Sequence, residues 1–168
     1  MIYLRITPAI LLMILAVSCK ESYKNTSDKN ANQIHQNVLT IDTHTDSPLN
    51  LTDPDFNIGE KHSYRESHTQ LDLPRMKEGG LDAVFFAVFI DQKERTPLGY
   101  KQARNRANEL FIEIKASVDT HPELAELAKT PEDAHNIEKK GKRAIYIGVE
   151  NGYPIGKDLS YLDKYYNM

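Results

Sequence analysis

The chain of 168 residues carries 21 Lys+Arg against 24 Asp+Glu, a net charge of −3 with histidine neutral, and a single cysteine. Without a basic excess there is no electrostatic footprint for nucleic acid, and a lone cysteine excludes an intramolecular disulfide. The length suffices for one modest core but falls short of the roughly 250 residues that usually close an eight-fold α/β barrel.

Residues 1–18 read as a leader: Arg5 supplies the positive region, Ile6 to Val17 the apolar region, and Ala16-Val17-Ser18 the small residues before a cleavage site. Thr7 and Pro8 interrupt the apolar run, which is shorter than the roughly 20 residues of a spanning helix. Cys19 follows directly, an arrangement similar to the lipobox of bacterial lipoproteins, in which the cysteine is acylated and becomes the new N-terminus. The expectation is a protein anchored in a bacterial cell envelope by lipid, on the periplasmic side or the outer membrane, rather than one that spans a membrane. Loss of the leader removes only Arg5 among charged residues and leaves a net charge of −4. Residues 19–33 are polar and read as a flexible tether, with the folded body over residues 34–168.

The first strand is expected over about Val38–Thr43. Beyond it the alternation continues, so Asp42, His44 and Asp46 share one face, and Pro48 stops the strand. Residues 47–70 are polar and turn-rich, with Ser47-Pro48, Asp53-Pro54 and Asn57-Ile58-Gly59 as punctuation; His62 and His68 within them read as solvated. Leu73 to Gly80 reads as a short helical turn closed by glycine. Leu81 to Ile90, almost unbroken in Val, Phe and Ala, predicts a strand buried on both faces, as in a parallel sheet. A helix follows over Tyr100–Val118, with Ala103, Ala107, Leu110, Phe111, Ile114 and Val118 as its apolar stripe. A second begins after Thr130, with Pro131 at its first position and Asp133 three residues after the cap, and ends near Gly141. Ala144–Val149 is a third strand, with Glu150 directly after it. A last helix starts at Asp158 with Leu159, Leu162 and Tyr165 or Tyr166 as its stripe, and the chain stops without a C-cap signal, which reads as a truncation.

Strands alternating with helices in this order argue for a parallel sheet with crossover helices. In such sheets the chemistry gathers at the carboxyl ends of the strands. His44, Asp46 and Glu150 occupy those ends and can converge although about a hundred residues separate them. An imidazole with carboxylates suits a borderline or hard divalent ion such as zinc. Glu150, with two oxygens, is able to bridge two ions about 3.5–4 Å apart. Asp42, one step deeper on the same face, is expected to orient His44 through its free ring nitrogen.

Three segments carry a family resemblance: Ile41-Asp42-Thr43-His44-Thr45-Asp46, the stretch Leu71-Asp72-Leu73-Pro74-Arg75-Met76-Lys77-Glu78-Gly79-Gly80-Leu81-Asp82-Ala83, and Gly148-Val149-Glu150-Asn151-Gly152. Together, and in this order, they resemble the membrane (renal) dipeptidase family from about residue 34 to the end. The resemblance implies the N-terminal part, about three βα units, of a (β/α)8 barrel of the metallo-dependent hydrolase type. It implies two zinc ions in a complete site, with His44 and Asp46 as ligands of the first and Glu150 bridging both. It further implies hydrolysis of dipeptides by a water made nucleophilic between the ions, and leaves self-association open for a full-length form. Many relatives carry Glu-Gly-Gly where this chain has Glu150-Asn151-Gly152. The family's two further histidine ligands and its substrate-contacting residues lie on later strands, which these residues do not include. The outer strands are therefore expected to keep unpaired edges, and the chain alone to bind metal weakly and hydrolyse nothing.

Two other readings compete. A different metal-dependent barrel amidohydrolase would act on cyclic amides or esters, but such enzymes usually show His-x-His on the first strand, and Thr45-Asp46 after His44 argues against it. A non-catalytic, surface-anchored binding module would keep the barrel's first third as a scaffold. His35, His121 and His135 read as surface histidines, and Tyr153, Tyr161, Tyr165 and Tyr166 as packing residues.

Overall fold

The computed structural model describes residues 30–168. The leader, Cys19 and most of the tether lie outside the described residues. Two compact units divide the chain, residues up to Val38 and Leu39–Met168. In the first, residues 30–36 are helical, so the expected tether gives way to helix before residue 33. That segment contains no Gly or Pro, and a helix polar on nearly all sides has no apolar stripe to announce it.

The second unit is built on one parallel sheet of four strands: β1 (Ile41–Thr45), β2 (Ala83–Phe89), β3 (Ala125–Leu127) and β4 (Arg143–Glu150), in the order β1-β2-β4-β3. β2 lies inside the sheet and pairs with β4 along its whole length, from Ala83 opposite Ala144 to Phe89 opposite Glu150. Its apolar run is explained by that place: Val84, Phe86 and Val88 enter the core on one face while Ala83 is buried on the other. Each fully buried large side chain of this kind is worth about 1.5–3 kcal/mol relative to exposure.

Helices cover both faces. On the first pack α2 (Leu73–Gly79) and α3 (Pro97–Thr120), following a one-turn α1 (Tyr64–Ser67) in the loop before them. All six stripe positions expected of α3 are buried. The helix starts earlier than expected, because Thr96 caps it by accepting the Gly99 amide and Pro97 takes the first turn. On the second face α4 (Pro131–Glu138) sets Ala134 and Ile137 against Ala144, Tyr146 and Ala83. Its Thr130–Asp133 capping box is formed as expected. The amides of Lys129 and Thr130 hold the Asp133 carboxyl below the usual aspartate range.

Three expectations are corrected. β3 was not expected: three residues of Ala-Glu-Leu are too short to show alternation. It pairs only with Arg143 to Ile145, so the outer strands are β1 and β3. Beyond Ile145 no strand lies against that edge of β4 among the described residues. The turn-rich stretch after β1 is partly ordered as a 3-10 helix over Ser47–Thr52, with Pro48 in its first turn. The final helix, α5 (Ser160–Tyr166), does not bury the stripe expected of it. Leu159, Leu162 and Tyr166 are exposed, and Tyr165 alone among those positions is buried, stacked on Phe111 at 5.6 Å between ring centroids. Among the described residues no helix is long and apolar enough to cross a membrane.

Candidate metal centre at the strand ends

β1 does not run in strict alternation. Asp42 pairs with Val84 and Thr45 with Phe86, so three steps along β1 match two along β2. An extra residue of this kind bends a strand and re-aims its side chains. At the irregularity the His44 amide donates to Asp42 Oδ1 at 3.0 Å. Asp42 therefore holds the backbone of His44 and not its ring nitrogen, which corrects the role expected for it. The strand ends at Thr45, and Asp46, with φ of −87° and ψ of 5°, turns the chain into the 3-10 helix.

Across the sheet, Glu150 closes β4. The three side chains meet above the end of β2: His44 Nε2 lies 3.5 Å from Asp46 Oδ1 and 3.4 Å from Glu150 Oε2. One donor atom from each residue falls within 4.8 Å of the other two. About half of each side chain is exposed (50%, 59% and 42% for His44, Asp46 and Glu150), but Glu150 Oε2 itself is buried and has no hydrogen-bond partner. A buried carboxylate oxygen without a donor is costly, and here it points at an imidazole and a second carboxylate. One imidazole nitrogen and two carboxylate oxygens fit a borderline or hard divalent cation. A cleft of about 380 Å³ opens beside them, lined by Thr43, Phe85, Ala87, Gly148 and Asn151 among others.

The loop after Glu150 is tied down by residues whose role the sequence did not reveal. Asn151 has a φ of 61°, a left-handed conformation that asparagine tolerates better than most residues. Its Nδ2 donates to the Ile90 carbonyl at 2.6 Å, and its Oδ1 accepts from the Tyr153 amide at 2.9 Å. Tyr153 donates its hydroxyl to the Glu94 carbonyl at 2.7 Å. The Asn-Gly pair after a strand signals a turn; that the side chain would reach back to the end of β2 is a tertiary fact.

The remaining histidines stay out of the cluster, and two depart from expectation. His62 is not solvated: its ring stacks on Phe56 at 4.7 Å and its Nδ1 lies 3.7 Å from the buried Asp72. His121 is half-buried, its Nδ1 2.8 Å from the Ser117 carbonyl and its ring filling the space where a side chain at Gly59 would stand. His35, His68 and His135 are exposed, as expected.

The sequence profile of the membrane dipeptidase family (peptidase family M19) matches residues 28–168. Among solved structures, the probable dipeptidase PvdM of Pseudomonas aeruginosa is similar at 27% identity with a TM-score of 0.71, over 82% of this chain and 34% of that one. A dipeptidase of the same metallopeptidase family is similar at 24% identity and a TM-score of 0.64, over 77% and 40%. A metallopeptidase of Rhodobacter sphaeroides, liganded with a phosphinate mimic of the dipeptide L-Ala-D-Ala, is similar in fold at 20% identity and a TM-score of 0.63, over 77% and 43%. The chain thus spans between 34% and 43% of the length of these structures. Its parallel, alternating architecture is the N-terminal part of a (β/α)8 barrel of the metallo-dependent hydrolase type, as expected.

Proposed function

The chain belongs to the membrane dipeptidase family, and on that premise we propose that it carries part of a zinc-dependent centre that hydrolyses the peptide bond of dipeptides. The observation that supports this reading is the meeting of His44, Asp46 and Glu150 at the carboxyl ends of β1 and β4, with a buried Glu150 oxygen left without a donor. His44 Nε2 and Asp46 Oδ1 would hold a first ion, and Glu150, with an oxygen to spare, would be shared with a second. When bound, such ions supply Lewis acidity, lowering the pKa of water and polarising an amide carbonyl. The chain's own part is to fix the three donors on two strands of one sheet, to hold the loop after Glu150 through Asn151, and to leave the cleft beside them open to a small substrate.

Residues 30–168 offer three half-exposed ligands on one side of the site only. By themselves they would bind zinc weakly and would not turn over dipeptides. Calorimetric titration of the 168-residue chain with Zn²⁺, beside the Glu150→Gln variant, tests the centre: binding that is weak, and lost in the variant, is expected. Equal binding by both chains would remove Glu150 from the site. Zinc-dependent release of amino acids from L-Ala-D-Ala by this chain would overturn its proposed inactivity.

We also propose that the protein is held at a bacterial envelope membrane through acylated Cys19, on the strength of the leader and the residues before the cysteine. Expressed in a bacterium, the Cys19→Ala variant should move from the membrane to the soluble fraction. Membrane retention of that variant would sink this reading.

A further inference from the structure

The segment Asp72-Leu73-Pro74-Arg75, which opens a short helix, anchors a chain of contacts that leads to the candidate metal centre. Asp72 is fully buried. Its carboxylate accepts from the amides of His62 (2.9 Å) and Arg75 (2.8 Å) and from Arg75 Nε (2.6 Å). Arg75 Nη2 then donates to the Thr69 carbonyl at 3.1 Å. Thr69, buried in turn, donates its hydroxyl to the Leu71 carbonyl at 3.0 Å and places the same oxygen 3.4 Å from Ser47 Oγ. Ser47 Oγ lies 2.9 Å from Thr45 Oγ1, which also accepts the Ser47 amide at 3.2 Å. The contacts end on the residue between His44 and Asp46.

That end point is where regular structure stops. β1 finishes at Thr45, and Asp46 turns the chain in the sparsely populated bridge region of backbone space. No strand ladder holds Asp46 there; the Leu49 amide bonds its carbonyl at 2.9 Å, and the hydroxyls of Thr45 and Ser47 brace the residues on either side of it. In a buried polar network each hydroxyl constrains its neighbours, and deleting one leaves the others unsatisfied.

Resting on the reading of His44, Asp46 and Glu150 as ion ligands, we propose that Thr69 is a positioning residue for that centre. Through Ser47 and Thr45 it fixes the turn that carries Asp46 Oδ1 to 3.5 Å from His44 Nε2. Asp72 and Arg75 hold Thr69 itself in place. Groups that orient metal ligands in this way, without touching the ion, typically change affinity by about ten- to a hundredfold when removed.

The test is a titration of the isotopically labelled 168-residue chain with Mn²⁺, whose unpaired electrons broaden the amide signals of nearby residues. In the unmodified chain the signals of Thr45, Asp46 and Glu150 should broaden first. Thr69→Val keeps the side-chain shape without the hydroxyl; it should retain a dispersed spectrum and require about ten times more Mn²⁺ for the same broadening. Thr69→Ser, which restores the hydroxyl, should return the response to that of the unmodified chain. Ser47→Ala interrupts the same network from its other side and should shift the titration in the same direction; it decides the matter if Thr69→Val does not fold. An unshifted titration in the folded variant, or a Thr69→Ser variant as weak as Thr69→Val, overturns the positioning role alone. The absence of selective broadening in the unmodified chain overturns the metal centre, and the positioning role with it.

Discussion

The two ends of the sheet use similar polar residues in opposite ways. At the amino end Asp82 is nearly buried and both its oxygens are occupied: Oδ1 accepts from Arg143 Nη1 at 2.9 Å and Oδ2 from the Thr40 amide at 3.0 Å. Arg143 Nη1 also reaches the Leu81 carbonyl at 3.1 Å. The entries to β1, β2 and β4 are thereby stitched together, and the charges of Asp82 and Arg143 cancel within the fold, although Arg143 Nε is itself buried without an acceptor. At the carboxyl end two carboxylates face one imidazole, one buried oxygen has no donor, and the side chains stand half in solvent. The ion proposed for this site would supply the charge that the side chains there do not cancel among themselves. One end secures the sheet and the other keeps its electrostatics unfinished, the division of labour that α/β barrels show between their stable and reactive faces.

The largest effect should come from breaking the secured end. Asp82→Ala leaves Arg143 buried without its counter-charge, a change that typically costs about 3–5 kcal/mol; urea unfolding should show the midpoint fall accordingly. Glu150→Gln at the other end should leave stability within about 0.5 kcal/mol while zinc binding is lost. Comparable destabilisation by both changes would erase the distinction between the two ends. A smaller effect should come from acid. The amides of Lys129 and Thr130 lower the folded-state pKa of Asp133, so its contribution is complete above the ordinary aspartate pKa and is lost as pH falls through the lowered value. The melting temperature of the native chain should therefore drop across that acidic window relative to Asp133→Asn, and the two should converge at its lower end. A constant gap would mean that the charge on Asp133 plays no part in the cap.

Where neighbours in sequence determine the outcome, the sequence was legible. The α3 stripe from Ala103 to Val118, the Thr130–Asp133 cap and the doubly buried β2 all follow from local spacing and composition, and the structure has them. The meeting of His44, Asp46 and Glu150 was legible too, because a residue just past an apolar strand has little choice of place in a parallel sheet. What failed depended on partners far along the chain. β3 exists because the start of β4 offers an edge. His62 is drawn in by Asp72 and Phe56, and His121 by the gap above Gly59. The extra residue in β1 turned Asp42 from the ring of His44 to its amide, and no pattern of alternation foretells a break in alternation.

The ties from Asn151 to Ile90 and from Tyr153 to Glu94 reach beyond geometry. They join the segment that leaves β2 to the segment that leaves β4, and Gly99 at the start of α3 is pressed so closely by the Glu94 carbonyl and the Tyr153 hydroxyl that no side chain would fit there. Neither segment can swing outward without releasing the other. The loops that follow two different strands therefore share their fastening, and loosening either one costs hydrogen bonds of both.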